Sequence, residues 1–162
     1  DLIQVGDAAV LAAGLPAPSN LLADGNFEGA AVLRVSAWKK KGSSATVSCD
    51  ALNMYGGLCY GQLAQGKGKL IQKVNGAFAK KDQITLSAYI KAVGATKGKV
   101  QLTVTYKNGP TAKIKFTVKG TTAYTLRTAS LTLKKNAKSF KVTIVSPKNG
   151  TFYVDNISVT VD

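Results

Sequence analysis

A chain of 162 residues is the size of one domain and long enough to bury a full core. Its 22 bases against eight acids give a net charge of +14, and it contains no histidine, so the commonest general base and metal ligand is missing. No run approaches the roughly 18 to 20 apolar residues that a bilayer span requires, and no membrane span is expected.

At the start of the chain, residues 1–15 (DLIQVGDAAVLAAGL) are apolar and free of lysine, and Pro16-Ala17-Pro18-Ser19 follows them. The chain opens on Asp1 rather than methionine, so a leader is expected to have been removed and the protein to be extracellular. Residues 1–19 read as an extension and residues 20–162 as a single domain. An apolar tail left in water is a liability, so it must pack on its own domain or insert into another copy. Insertion as a donated strand would place Ile3, Val5, Val10 and Leu11 in the core of a neighbour. The first 33 residues hold four acids and no base, while the rest hold 22 bases and four acids. Tail and body therefore attract, and a head-to-tail contact that does not close builds a filament or surface layer.

Beyond the linker the dominant pattern is alternation. Ile84, Leu86, Ala88 and Ile90 fall on one face of 83–92, with Thr85, Ser87, Tyr89 and Lys91 on the other. Val100, Leu102, Val104 and Tyr106 repeat the pattern, as do Ala112, Ile114, Phe116 and Val118. Between those two runs Asn108-Gly109-Pro110 supplies a turn. Further strands are expected near 31–38, 45–49, 58–64, 69–74, 123–133, 139–145 and 151–161. No segment of useful length has helical periodicity, so the fold is all-β, a sandwich or barrel. Cys49 and Cys59 lie ten positions apart across Asn53, Gly56 and Gly57, which let the chain return; they form a disulfide or remain two buried thiols.

The segment Asn20-Leu21-Leu22, then Gly25-Asn26-Phe27-Glu28 and Trp38, resembles the opening of the jelly-roll, galactose-binding-like, calcium-containing carbohydrate-binding modules of the xylan- and glucan-binding type. Residues 70–74, 86–92 and the closing Phe152-Tyr153-Val154-Asp155-Asn156-Ile157-Ser158-Val159 resemble their later strands. The Cys49 to Cys59 loop and the 106–109 hairpin resemble a variety found in extracellular proteins of filamentous bacteria. The resemblance implies a jelly-roll β-sandwich with an extended N-terminal strand, and a structural calcium tying the first strand to the last. Its ligands would be the carboxylates of Glu28 and Asp155 and the backbone carbonyl of Asn26, completed by carbonyls near 41–44 and water.

Catalysis has little to work with. Four of the eight acids lie near the N-terminus, Asp162 is terminal, and Asp50 and Asp82 have no motif around them. The residue types argue against nucleic acid as a partner: the basic residues include only two arginines, Arg34 and Arg127, and lysine lacks the planar fork of bidentate recognition. Lysines spread along strands read as solvated faces that discourage edge-to-edge aggregation. Two non-enzymatic functions remain. One is a structural subunit that self-assembles through its N-terminal strand. The alternative is polysaccharide binding, with an acidic polymer favoured by the lysines, through Trp38, Tyr55, Tyr60 and Tyr89. Within that set Trp38 sits where the family often buries a tryptophan, and Tyr106 falls in phase with the core.

Overall fold

The computed structural model describes residues 19–29, 37–50 and 52–162. Ile3, Val5, Val10 and Leu11, on which self-assembly rests, lie outside the described residues. Eight strands follow in chain order: β1 (Lys39–Lys41), β2 (Ala45–Cys49), β3 (Cys59–Ala64), β4 (Lys69–Phe78), β5 (Gln83–Tyr106), β6 (Ala112–Thr132), β7 (Ala137–Val145) and β8 (Asn149–Val161). All pairings are antiparallel, in the order β1-β4-β7-β5-β8-β3-β2, and β6 pairs with β5 along its length.

The two expected strands at 83–92 and 100–106 are one 24-residue strand, and 112–118 and 123–133 merge in the same way into β6. The segment between the two halves of β5 has the composition of a loop but stays hydrogen-bonded. Its register against β6 shifts three times between Ile90 and Gly98, and Gly94 and Lys97 take positive φ. These bulges bend the hairpin through a corner. The first half of β5 pairs with β8, and its second half, Lys99–Tyr106, pairs with β7. The result is a sandwich of two layers: β2, β3, β8 and the first half of β5 in one, β1, β4, β7 and the second half of β5 in the other. The far half of β6 borders the first layer and its near half the second.

Alternation then fills the space between the layers. Leu63, Ile84, Leu86 and Phe152 from the first layer meet Leu70, Leu102, Phe140 and Ile144 from the second, all fully buried. Tyr106 is buried, as its phase requires. The expected strand at 31–38 is not found in its described part, since residues 37 and 38 lie outside any strand. The short β1, unexpected from its three lysines, forms because the edge of β4 offers it partners at Leu70 and Ile71.

Ahead of β1, residues 20–23 run along the first layer. Leu21 N–H donates to the Val159 carbonyl at 2.8 Å, and the Asn20 amide bonds both the Ile157 carbonyl and Val159 N–H at 3.0 Å. The chain then turns sharply at 24–29, with Asp24 and Phe27 at positive φ. Left-handed backbone at a phenylalanine costs about 1–3 kcal/mol, and burying the ring contributes about 1.5–3 kcal/mol. The ring is fully buried and stacks on Trp38 at 5.5 Å, so the turn holds. Its consequence is directional: with Phe27 turned into the core, Glu28 faces out towards the loop that joins β2 to β3.

Candidate glycan-binding face

The loop between β2 and β3 is closed at its base by the Cys49–Cys59 disulfide, and the two cysteines also face each other in the strand register. Above that base the loop lies over the outer face of the first layer, held by two carboxylates. Glu28 accepts the N–H groups of Leu58 at 2.9 Å and Cys59 at 2.7 Å. Asp155 accepts Gly56 N–H at 3.1 Å and Asn156 N–H at 2.8 Å. Gly57, at φ 64°, makes the first grip possible, because a Cβ there would stand 2.6 Å from the Glu28 carboxyl carbon. Asp155 reaches this position because a bulge at Asn156 shifts the register between Ser87 and Tyr89. Burial raises the Asp155 pKa, backbone N–H groups lower it in part, and the Glu28 carboxylate raises it further.

Glu28 and Asp155, the carboxylates that the family resemblance implies as calcium ligands, are therefore brought together, but their visible work is to anchor a loop. Asn26, the third residue of that set, accepts Glu28 N–H with its side-chain oxygen at 3.1 Å. Among the described residues no three His, Cys, Asp or Glu side chains gather into a metal cluster. The donor chemistry nonetheless fits a hard cation. The half-buried Glu28 carboxylate repels the buried one of Asp155, each keeps lone pairs beyond the N–H groups it accepts, and calcium takes its remaining ligands from carbonyls and water.

The anchored loop carries Tyr55 onto the sheet. Its ring stacks on Tyr89 of β5 with centroids 4.0 Å apart and planes 15° apart, and meets Tyr124 of β6 at 5.3 Å. Tyr89 and Tyr124 share the outer face because Leu126 lies directly opposite Tyr89 in the register. The Tyr124 hydroxyl donates to the Asn53 carbonyl, and Lys91 Nζ donates to the Asn53 side chain at 3.0 Å while lying 5.5 Å from the Tyr153 ring centroid. The neighbouring Tyr89 pushes the Tyr55 phenol up and burial pushes up that of Tyr124, so both remain protonated at neutral pH. Tyr55 is 43% exposed, and Leu52 (82%) and Leu126 (51%) are more exposed still. With Met54, Leu58 and Val93 these are the exposed large hydrophobic side chains among the described residues, and all six belong to this loop or to the β5 and β6 strands beside it.

Of the four aromatic candidates, two do not present a ring to solvent. Trp38 is 5% exposed and its Nε1–H donates to the Asp24 carbonyl at 3.0 Å, which makes it a core tryptophan. Tyr60 is 1% exposed, with its hydroxyl donating to Asp50 at 2.8 Å. Tyr55 and Tyr89 form the platform, with Tyr55 uppermost. Sequence reasoning missed Tyr124, Leu126 and the apolar loop residues. The first two alternate visibly with Thr125, but only the register against β5 puts them beside Tyr89.

No curated protein sequence matches the chain significantly. Its fold is shared with the carbohydrate-binding module TmCBM61, solved in complex with β-1,4-galactotriose (14% identity, TM-score 0.63, 89% of this chain and 99% of that one). It is also shared with a family 16 carbohydrate-binding module (20% identity, TM-score 0.63, 87% and 99%). A third match is the enzymatically active domain of tailspike protein 4 of bacteriophage CBA120 (15% identity, TM-score 0.65, 88% of this chain), of which the chain spans only 21%. The two carbohydrate-binding modules are jelly-roll β-sandwiches, as the sequence implies for this chain. The filament reading finds no support, and its alternative is favoured by a match to a family model. A family model for a carbohydrate binding domain matches residues 19–154, and the chain belongs to that family.

Proposed function

We propose that this domain binds a polysaccharide outside the cell, without catalysing any reaction on it, through the platform headed by Tyr55. The observation that carries the reading is a tyrosine stacked at 4.0 Å on a second tyrosine, exposed at its outer face and surrounded by apolar side chains. Stacking fixes the ring before a ligand arrives, so little side-chain entropy is lost on binding. A flat aromatic face with an apolar surround suits the C–H face of a pyranose, while the Lys91 and Asn53 side chains beside it offer hydrogen bonds to hydroxyls. Glu28 and Asp155 set the height of the platform by holding residues 56–59 to the sheet. Calcium between these two carboxylates, when bound, would offset their repulsion and stiffen the same loop.

TmCBM61 holds a β-1,4-linked galactan fragment, which makes β-1,4-galactotriose a suitable first probe, followed by xylan and glucan oligosaccharides. Titration calorimetry should show binding that Tyr55→Ala weakens about tenfold, the factor equivalent to roughly 1.4 kcal/mol of lost stacking. Unchanged affinity in a Tyr55→Ala protein of native melting temperature would remove the platform from the site.

A further inference from the structure

We propose that one end of the sandwich, where the chain turns from β4 to β5, from β5 to β6 and from β6 to β7, is a second site that takes a phosphorylated sugar. The corner near Gly94 folds the tip of the β5–β6 hairpin back to the end where β4 finishes, so that Phe78 and Tyr106 both pair with Ala137. Lys80, Lys107, Lys134 and Lys135, from three separate connections, line one cavity of about 490 Å³ there, with Asn108 and Asn136. An apolar cavity of about 290 Å³ adjoins it, walled by Tyr106, Pro110, Ala112 and Leu131, and Lys134 and Lys135 line both.

Hydrogen bonds between the connections fix this cluster. Asn136 ties all three together: its side-chain oxygen accepts Lys80 N–H at 2.8 Å and its carbonyl accepts Lys107 N–H at 2.9 Å. Lys134 N–H donates to the Tyr106 hydroxyl at 3.2 Å. The Lys135 ammonium lies across Gly109, 2.7 Å from where a Cβ would stand, and 3.5 Å from the Asn108 carbonyl. Four like charges are thereby held around one cavity, where free loops would let them separate. Asp82, the one acid within these connections, turns its carboxylate to Ala79 N–H at 3.0 Å. An anion in the cavity relieves the repulsion that the hydrogen bonds maintain.

The donors select the anion. Lysines that reach the cavity from three connections, rather than in one plane, suit a tetrahedral oxyanion, and a phosphate monoester carries about −1.5 to −2 at neutral pH where a carboxylate carries a single charge. Neither cavity is lined by arginine, whose planar fork suits bidentate partners. The adjoining apolar cavity then receives the group that the phosphate esterifies. Pro110, Ala112 and Leu131 offer it aliphatic surface, and the one aromatic ring in the wall, Tyr106, is buried, so the cavity suits the C–H face of a sugar better than a stacked base. Asn108, Asn136 and Thr111 stand at its rim to meet hydroxyls.

The test titrates the full chain with glucose 6-phosphate and follows amide chemical shifts, with glucuronate, inorganic phosphate and thymidine 5′-phosphate as comparators. Glucose 6-phosphate should shift the amides of residues 107–109 and 134–136, with affinity that falls as salt rises, and should bind about tenfold more tightly than glucuronate, which carries a carboxylate at the same carbon. The combined Lys80→Gln, Lys107→Gln and Lys135→Gln protein should lose about tenfold or more. Removing three charges from the outward face of the second layer, by Lys99→Gln, Lys113→Gln and Lys141→Gln, should change affinity by less than about twofold. Pro110→Ser should weaken glucose 6-phosphate and leave inorganic phosphate as it was, which marks the apolar cavity as the seat of the sugar. Tyr55→Ala should leave this binding intact, which separates the site from the tyrosine platform. Equal losses from the two triple variants would reduce the effect to net charge and overturn the proposal. So would glucuronate binding as tightly as glucose 6-phosphate, which would make the site one for carboxylates, and tighter binding of thymidine 5′-phosphate, which would make it one for nucleotides. Inorganic phosphate binding as tightly as glucose 6-phosphate would remove the sugar from it.

Discussion

Glu28 is the residue whose loss should separate the loop from the sheet. Its two oxygens accept the N–H groups of Leu58 at 2.9 Å and Cys59 at 2.7 Å, the second in a partly buried setting. Hydrogen bonds to an ionised partner contribute about 1.5–3 kcal/mol each, and the exposed Leu58 bond belongs at the low end, so Glu28→Ala should cost roughly 3–4 kcal/mol. For a domain of this size each kcal/mol lowers the melting temperature by about 2–4 °C, which places the loss at roughly 6–16 °C. Glu28→Gln keeps one acceptor and sets an NH₂ against a backbone N–H, so it should cost about half as much. The discriminating assay is amide exchange in chelator, so that no cation contributes. The Leu58 and Cys59 amides should exchange about a hundredfold faster in Glu28→Ala, while amides of β5 should slow or quicken only with global stability. If Leu58 and Cys59 keep their protection relative to β5, the carboxylate does not hold the loop and the platform must be set by other contacts.

Reduction of Cys49–Cys59 should destabilise the protein by about 3 kcal/mol, the chain-entropy value for so short a loop, read as a shift in the urea midpoint with unchanged slope. A loss well below 1 kcal/mol would mean that the Cys49 to Cys59 strand register suffices without the bond. Asp155 has a folded pKa above its ordinary 3.8, so as pH rises past that value the unfolded chain loses the proton first and this group's contribution to stability falls. The stability of Asp155→Asn relative to the parent should therefore increase with pH above about 4 in chelator, and a decrease would show the opposite shift. Adding calcium should reverse that trend if Glu28 and Asp155 bind it, raising the parent's melting temperature and leaving Glu28→Ala and Asp155→Asn unmoved.

The alternating runs at 83–92, 100–106 and 112–118 gave the layers of the core directly, because a half-buried strand imprints period two on its sequence. The corner between them was not legible. Val93 to Lys97 contains glycine and no alternation, and whether such a segment loops out or bends while staying paired depends on partners in β6 and β8. Resemblance brought Glu28 and Asp155 forward, yet what they grip are backbone N–H groups of residues 56–59, and a backbone donor has no signature in side-chain identity. Tyr55 and Tyr89 were visible as aromatics but their contact was not, since it joins a loop to a strand more than thirty positions away. The lysines looked like a solvated scatter for a related reason: Lys41, Lys69, Lys99, Lys113 and Lys141 become neighbours only when four registers are superposed.

The two faces divide the chemistry of the chain between them. Glu28, Asp50 and Asp155 all bond within or beside the disulfide loop, on the side of the tyrosines, while Lys41, Lys69, Lys99, Lys113 and Lys141 occupy a layer whose strands hold no acid. An acid-poor basic face and an apolar aromatic face on opposite sides of a sandwich about 10 Å thick cannot serve one short ligand. Because contact at the tyrosine face is apolar and little screened, raising ionic strength should leave Tyr55-dependent binding in place. Loss of that binding on adding salt would mean that an electrostatic surface carries it.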